Sequence, residues 1–144
     1  MMNKYEALKL ENQLCFALYA TSREVIKLYK PFLDAFGLTY TQYITLLVLW
    51  EKEAISFKDL GQALHLDSGT LTPLIKKLEA MKLVIKYRDP QDDRVVIVEL
   101  TEDGRVLKDE MVDIPNQLFC RVGGEVEEYA SLKSSLESLL KKLS

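Results

Sequence analysis

The chain has 144 residues, of which 48% are apolar and 28% are charged. This balance is typical of a folded globular protein and argues against a disordered one. The length fits one domain over residues 1–144 with an apolar core of its own. No apolar run approaches the roughly 20 residues that a membrane-spanning helix requires. Residues 1–14 carry acidic side chains where a signal peptide would have a basic start and an apolar centre, so we expect a cytoplasmic protein.

The net charge of −3 argues against a protein that binds nucleic acid over its whole surface, because such domains are usually basic. The charge is unevenly distributed, however. Residues 68–88 carry five cations and only one anion, Glu79. A local basic surface on an acidic protein can still contact phosphates, because screening leaves charges effective over about 8 to 10 Å. The cations of this stretch are Lys76, Lys77, Lys82, Lys86 and Arg88.

The first predicted element is a long helix over residues 5–36. Its apolar side chains recur at helical spacing and nothing interrupts the pattern before Pro31, where the helix can bend. Gly37 is expected to end this helix. Thr41 is then expected to cap a second helix, whose apolar content predicts burial on nearly all sides.

Two short helices and a hairpin follow. Ser56 predicts the start of one helix, and Asp67 caps another that runs to about residue 81. The segments 83–88 and 94–100 are β-branched runs joined by the polar sequence DPQDD, which predicts a hairpin. A helix-turn-helix followed directly by a hairpin is a winged helix.

Long helices are predicted on both sides of this region. Thr101 is expected to start a helix that runs toward Gly123 and kinks at Pro115, and leucines at helical spacing predict a last amphipathic helix. Such helices need an apolar partner, which a second copy of the chain supplies most simply. We therefore predict a mainly α, dimeric winged helix-turn-helix fold with a small β-hairpin wing. Its dimerisation helices lie in residues 5–38 and 101–143, and its DNA-binding region in residues 39–100.

Polar and basic side chains cluster on the wing and on the second helix of the helix-turn-helix, the one that Asp67 caps. Hydroxyls near the helix start can approach base edges or phosphates, and lysines one turn later can reach purines or the backbone. Arg94 can enter the narrow minor groove, where negative potential favours guanidinium, and Asp92 can hold it in place. An ordinary solvated helix and turn would carry similar residues, so the pattern alone leaves both interpretations open. The candidate DNA-binding residues are Ser68, Thr70, Thr72, Lys76, Lys77, Lys86, Arg88, Asp92 and Arg94.

The two cysteines, Cys15 and Cys120, are poor candidates for a structural disulfide in a reducing compartment, so each is either an inert or a reactive thiol. Cys15, Tyr19 and Tyr29 share one helix face. Tyr29 lies about 21 Å further along the axis, so if it serves Cys15 it must come from a partner subunit. Phenol donors would favour the thiolate that attacks peroxide, although buried cysteines are mostly inert.

One histidine and two distant cysteines form no ligand cluster of recognisable spacing. We therefore expect neither a metal nor another cofactor.

Four motifs carry a resemblance that covers nearly the whole chain. They are KLENQLCFALYATSRE (9–24), KLYKPFLDAFGLTYTQY (27–43), LDSGTLTPLIKKLE (66–79) and DDRVVIVELTEDG (92–104). With them the sequence resembles the MarR family of winged-helix regulators, and within it the repressors that sense organic hydroperoxides.

This resemblance implies that Cys15 is oxidised to a sulfenic acid, with Tyr19 nearby and with Tyr29 and Tyr40 of the partner subunit hydrogen-bonded to it. Cys120 matches the position of the resolving cysteine in two-cysteine members, which implies an intersubunit disulfide that releases DNA.

The resemblance also implies that a homodimer binds a pseudo-palindromic operator in double-stranded DNA. Ser68, Thr70, Thr72 and Lys77 would contact the major groove and Arg94 the minor groove. At position 77 some relatives have arginine, so lysine would weaken bidentate reading of guanine.

Two alternatives stay open from the sequence. A thiol peroxidase would turn over peroxide at Cys15, although the chain has neither a thioredoxin-like βαβ pattern nor a CxxC motif, and we expect no enzyme. A regulator induced by a small phenolic or lipid ligand would leave both thiols silent.

Overall fold

The computed structural model describes residues 3–144. The chain forms two compact units, of which the first ends at Val112 and the second comprises Asp113–Ser144. Among the described residues, no helix is both long and apolar enough to cross a membrane. The prediction of one domain with dimerisation helices at both ends stays a prediction.

The described part of the chain contains seven α-helices and three strands, preceded by two short 3-10 helices. In order they are α1 (Leu14–Asp34), α2 (Tyr40–Lys52), β1 (Ala54–Ser56), α3 (Phe57–Leu64), α4 (Ser68–Ala80), β2 (Val84–Asp89), β3 (Asp92–Leu100), α5 (Glu102–Met111), α6 (Ile114–Val122) and α7 (Val126–Leu143).

The first helix is shorter than predicted. Residues 5–13 form two single 3-10 turns instead of an α-helix, and α1 begins only at Leu14. The reason lies at Gln13, whose backbone is extended and whose side-chain amide donates to the carbonyls of Ala7 and Lys9. These bonds satisfy carbonyl groups that a continuous helix would have used.

The cap of α2 also differs from the prediction. Thr39, not Thr41, is the capping residue: its hydroxyl accepts from the backbone N–H of Gln42, and the Gln42 side chain accepts from the Thr39 N–H at 2.9 Å. This reciprocal pair is a capping box. Gly37 has a positive φ of 68° in the turn just before, which confirms it as the end of the first helical segment.

The helix-turn-helix is formed by α3 and α4, with the predicted caps. The Ser56 hydroxyl accepts from the Asp59 N–H at 3.0 Å, and the Asp67 carboxylate accepts from the Thr70 N–H at 2.8 Å. One face of α4 is buried against the rest of the unit. Its buried side chains are Leu71, Leu74, Ile75 and Leu78.

The wing is a three-stranded antiparallel sheet with the order β1-β3-β2. The predicted hairpin is confirmed, with Val84 opposite Leu100 at its base and an irregularity between Arg88 and Asp89 near its tip. Sequence analysis missed β1, because a strand of three residues is too short to show an alternating pattern.

The helix predicted to run from Thr101 toward Gly123 is two helices. The Thr101 hydroxyl caps α5 as predicted, by accepting from the Gly104 N–H at 3.1 Å, but α5 ends at Met111 and α6 starts at Ile114. Pro115 does not kink the interior of a helix but lies in the first turn of α6. A proline lacks the backbone N–H, and this loss costs nothing in a first turn, because N–H groups there have no intrahelical partner.

The start of α5 packs closely on the base of the wing at Gly104. A Cβ atom at this position would lie 2.5 Å from the Leu83 carbonyl oxygen and 2.6 Å from Leu100 Cδ1. Backbone and a buried leucine cannot both withdraw, so only glycine fits here.

We therefore expect Gly104→Ala to lower the free energy of unfolding by about 1–3 kcal/mol through overpacking. Urea unfolding followed by circular dichroism measures this change. Gly69→Ala is the matched control, because its added Cβ meets only Asp67 Oδ1, at 3.4 Å. An equal loss in both variants would contradict the steric argument.

Candidate nucleic-acid interface and thiol site

The start of α4 presents a polar surface. Ser68 and Thr70 are exposed, whereas Thr72 is half-buried and its hydroxyl donates to the Ser68 carbonyl at 2.8 Å. The Thr72 oxygen therefore keeps only acceptor capacity. Hydrogen bonds from the backbone and side chain of Thr70 lower the pKa of the Asp67 carboxyl, which keeps the cap ionised at neutral pH.

Lys76 and Lys77 are exposed on α4, opposite its buried leucines. Among residues 3–144, neither lysine is in an ion pair within 4 Å. Lys86 and Arg88 are exposed on β2, and the Arg88 guanidinium donates to the Asp93 carbonyl at 2.8 Å. The second helix of the helix-turn-helix, α4, which we call the recognition helix, and the wing therefore both present positive charge to solvent.

Arg94 and Asp92 form a two-point ion pair near the wing tip. Arg94 Nε lies 3.0 Å from Asp92 Oδ1, and a terminal guanidinium nitrogen lies 3.1 Å from Oδ2. The Arg94 side chain is nevertheless 86% exposed. This hydrogen-bonded pairing lowers the pKa of Asp92 and raises that of Arg94, so both stay charged. The predicted arrangement is present, and it orients the arginine outward.

The two cysteines lie in different units, and both are exposed. Cys15 is the second residue of α1, where backbone N–H groups lack intrahelical partners and attract negative charge. The predicted start at residue 5 concealed this position. Cys120 lies in α6 of the second unit.

Tyr19 lies one turn after Cys15 on α1. Its hydroxyl oxygen accepts a hydrogen bond from the Arg23 guanidinium at 3.1 Å, and the same guanidinium lies 5.3 Å from the ring centroid. The Tyr19 proton is thus directed away from Arg23 and is available to another acceptor. Sequence analysis did not single out Arg23, although an i, i+4 spacing to Tyr19 is the signal that would find it.

Tyr29, Tyr40 and Tyr43 form a tyrosine cluster between α1 and α2. The ring centroids of Tyr29 and Tyr40 are 4.9 Å apart, and those of Tyr29 and Tyr43 are 5.6 Å apart. Burial, with a smaller contribution from the neighbouring phenols, raises the pKa of Tyr29 to about 12. Burial also raises the pKa of Tyr40 and of Tyr43, so all three phenols remain protonated hydrogen-bond donors at neutral pH.

The cluster brings together two residues that were predicted and one that was not. Tyr29 and Tyr40 were candidates for the thiol site, and Tyr43 was missed because one aromatic side chain in an apolar helix is indistinguishable from ordinary core. The structure does not test their predicted contact with a partner's Cys15, which stays a prediction.

No group of three metal-ligating side chains is present within residues 3–144.

The helix-turn-helix of α3 and α4, followed by a β-sheet wing, places the protein in the class of winged helix-turn-helix proteins. Its wing carries an outward-facing arginine near the tip, and α4 carries exposed lysines. Residues 27–111 match the family model "Transcriptional regulator SarA/Rot". The chain is 49% identical to the organic hydroperoxide resistance transcriptional regulator of Bacillus subtilis, over 99% of the chain and 97% of that protein. It is 43% identical to the HTH-type transcriptional regulator SarZ of Staphylococcus saprophyticus, over 92% of the chain and 91% of that protein.

The chain therefore belongs to the SarA/Rot family of transcriptional regulators. This confirms the resemblance to MarR-type regulators that the motifs indicate, together with the winged-helix fold.

Solved structures agree with this assignment. Reduced AbfR bound to DNA is similar to the chain with a TM-score of 0.83 and 35% identity, over 98% of the chain and 96% of AbfR. Disulfide-formed AbfR has a TM-score of 0.68 and 34% identity, over 95% and 96%. BpsR of Bordetella bronchiseptica, whose DNA binding is regulated by 6-hydroxynicotinic acid, has a TM-score of 0.82 and 28% identity, over 91% and 95%.

We expect Arg94→Gln to weaken binding to an operator about tenfold, because the wing would lose the guanidinium that the sequence predicts to enter the minor groove. The operator is selected from random DNA with the wild-type protein, and fluorescence anisotropy gives the Kd. Lys133→Gln on α7 removes the same charge from a side chain that pairs with Glu137 at 3.2 Å, and serves as control. Equal affinities of wild type and Arg94→Gln would exclude Arg94 from the interface.

We expect Tyr29 to ionise near pH 12. Its pKa is raised above the unfolded value of about 10, so its contribution to stability is complete below pH 10 and is lost as the pH rises toward 12. A spectrophotometric titration of phenolate absorbance on wild type and Tyr29→Phe isolates this group. A difference curve centred at pH 10 would contradict the burial of Tyr29.

Proposed function

We propose that the protein is a homodimeric DNA-binding repressor that senses organic hydroperoxide through oxidation of Cys15. The observation that supports this most directly is the tyrosine cluster, whose phenols stay protonated while Cys15 lies exposed at a helix start. The relative named for organic hydroperoxide resistance covers almost the whole chain, and AbfR has been seen in reduced, overoxidised and disulfide forms.

The exposed apolar side chains of α1 and α7 support the dimer. Only Leu33 of α1 is buried, and α7 has no buried residue. Such stripes on long helices favour association with a second copy through the hydrophobic effect. The most exposed large side chains on the two helices are Leu14, Phe16, Tyr19, Ile26, Val126, Leu132, Leu136, Leu140 and Leu143.

The first chemical step consumes one hydroperoxide per thiolate. The Cys15 sulfur attacks the terminal oxygen of ROOH, the O–O bond breaks, and the departing RO⁻ takes a proton to leave as the alcohol ROH. The sulfur keeps the OH and becomes a sulfenic acid, so it is oxidised by two electrons while the peroxide is reduced. Tyr29 and Tyr40 of the partner subunit donate hydrogen bonds to the sulfur, and the positive end of α1 favours its negative charge.

Cys120 completes the second step in this proposal. Its sulfur attacks the sulfenic sulfur of the partner's Cys15, the S–O bond breaks, water leaves, and an intersubunit disulfide forms. Cys120 is exposed on α6, as this attack requires. The new bond displaces the dimerisation helices. The two DNA-binding regions of the dimer then no longer match the spacing of successive major grooves.

In the reduced dimer, Ser68, Thr70, Thr72 and Lys77 contact the major groove and Arg94 the minor groove of a pseudo-palindromic operator. Lys76, Lys86 and Arg88 contact phosphates. We place the protein in the cytoplasm with the DNA that it binds. It is a sensor rather than an enzyme, because each Cys15 is consumed once and the relatives are named as transcriptional regulators.

A second candidate function is induction by a small ligand without thiol chemistry. A cavity of about 260 Å³ favours it, because apolar side chains of α1 line it beside the ring of Tyr40. BpsR, whose DNA binding responds to 6-hydroxynicotinic acid, is the relative that illustrates this mode. The cavity is lined by Ile26, Lys27, Lys30, Leu33, Asp34, Leu38, Thr39 and Tyr40.

The deciding experiment is an operator mobility shift with wild type, Cys15→Ser and Cys120→Ser, with and without cumene hydroperoxide. We expect the oxidant to release DNA from the wild type and to leave Cys15→Ser bound. A non-reducing gel should show covalent dimers only when both cysteines are present.

Release of DNA from Cys15→Ser by the oxidant would overturn thiol sensing and favour the ligand-induced alternative. Peroxide consumption that continues through many equivalents per Cys15, faster than the added thiol reductant re-reduces the Cys15–Cys120 disulfide, would instead favour a peroxidase. A reduced chain that sediments as a monomer at micromolar concentration would contradict the dimer on which the mechanism rests.

A further inference from the structure

Trp50, the only tryptophan in the sequence, connects the tyrosine cluster with the first turn of α5. On one side its ring meets the Tyr43 ring edge-on, with centroids 6.4 Å apart and an interplanar angle of 72°. On the other side its indole N–H donates to the Gly104 carbonyl at 2.8 Å. The two contacts leave the indole little freedom to turn without disturbing one of its neighbours.

Tyr43 continues this contact to the candidate thiol site. It is only 2% exposed, and it packs on Tyr29 at 5.6 Å and on Tyr40 at 6.4 Å between ring centroids. Tyr29, Tyr40 and Trp50 are half-buried, but Tyr43 between them is fully buried and has no free volume into which it could withdraw when a ring packed on it moves. A displacement of Tyr29 or Tyr40 therefore reaches Trp50.

Gly104, which accepts the hydrogen bond of Trp50, packs in turn on the segment that joins α4 to the wing and on the base of the wing. Its Cα faces the Leu83 carbonyl and the Leu100 side chain with no space for even a methyl group. The Leu83 N–H donates to the Leu78 carbonyl in α4 at 3.1 Å, and the Leu83 carbonyl accepts from the Thr101 N–H at 3.0 Å. The last turn of α4, both strands of the hairpin and the start of α5 thus meet within one hydrogen-bonded junction.

We propose that Trp50 is a positioning residue that couples the oxidation state of the thiol site to the orientation of the recognition helix and the wing. This inference rests on the proposed function, because it assumes that oxidation at Cys15 disturbs Tyr29 and Tyr40. The coupling depends on the indole N–H of Trp50, because its hydrogen bond to the Gly104 carbonyl connects the aromatic contacts to the backbone of α5.

A second connection between the same elements provides a matched control. Arg105 on α5 pairs with Glu53 after α2 at 3.1 Å, but the two side chains are 43% and 54% exposed. Exposed ion pairs contribute little to stability and hold their partners loosely. Arg105→Gln should therefore leave the coupling intact, although it removes a contact just one residue from Gly104.

The test compares wild type, Trp50→Phe and Arg105→Gln by operator Kd before and after treatment with cumene hydroperoxide. Trapping of the sulfenic acid with dimedone gives the rate of Cys15 oxidation in each. Phenylalanine keeps an aromatic ring against Tyr43 and removes the N–H donor. We expect Trp50→Phe to oxidise at the wild-type rate while its ratio of oxidised to reduced Kd falls about fivefold or more, as expected for loss of an allosteric coupling.

Three outcomes are decisive. If oxidation releases DNA from the wild type and the Kd ratio of Trp50→Phe is unchanged, the inference is overturned while the proposed function stands. A weaker Kd in both redox states at an unchanged ratio would show a merely structural role and would overturn it as well. A wild type that keeps its DNA after oxidation would remove the proposed function together with the inference.

Tryptophan emission tests the same coupling without any substitution. Because Trp50 is the sole tryptophan, its fluorescence reports this junction directly in the wild-type protein. We expect cumene hydroperoxide to shift the emission at the rate of DNA release, and to leave it unchanged in Cys15→Ser. DNA release with constant emission would contradict a role for Trp50, even if Trp50→Phe failed to fold.

Discussion

Cys15 and Tyr29 lie on one continuous helix, about 21 Å apart along its axis. A helix of this kind is rigid, so the thiol and the tyrosine cluster of a single chain cannot touch. Any chemistry that joins them requires a second copy of the chain whose α1 passes beside the first. The exposed apolar side chains along α1 are the surface on which such a crossing can be built. The proposed sensing mechanism and the dimer therefore depend on the same geometric constraint.

The burial of the tyrosine cluster has two physical consequences. It raises the pKa of Tyr29 to about 12, so the phenol remains a donor at every physiological pH. It also packs Tyr29 and Tyr40 against Tyr43 and, through it, against Trp50. In the proposed mechanism, the same burial both keeps the phenols as donors to the sulfur anion and packs them into the contacts that lead to the base of the wing.

Much of the DNA-binding region was predictable from the sequence. Asp67 and Ser56 cap their helices as predicted, the hairpin forms between the predicted β-branched runs, and Asp92 holds Arg94. These features depend on residues within a few positions of one another, where local hydrogen bonding and side-chain periodicity decide the backbone. The same locality explains the errors at Thr41 and at the predicted start of the first helix, where two local solutions compete and similar polar residues could serve either.

The sequence by itself determined the winged helix, its basic face and the two candidate thiols, because each is written in short-range patterns of charge, apolarity and residue type. Only the tertiary structure decided that Tyr43 and Trp50 connect Tyr29 to Gly104, across 54 residues of chain in the case of the indole hydrogen bond. Only the tertiary structure also showed that Gly104 is required by packing. Contacts between distant segments arise from the way in which several buried faces fill one volume, and no local pattern in the chain encodes which side chains will meet there.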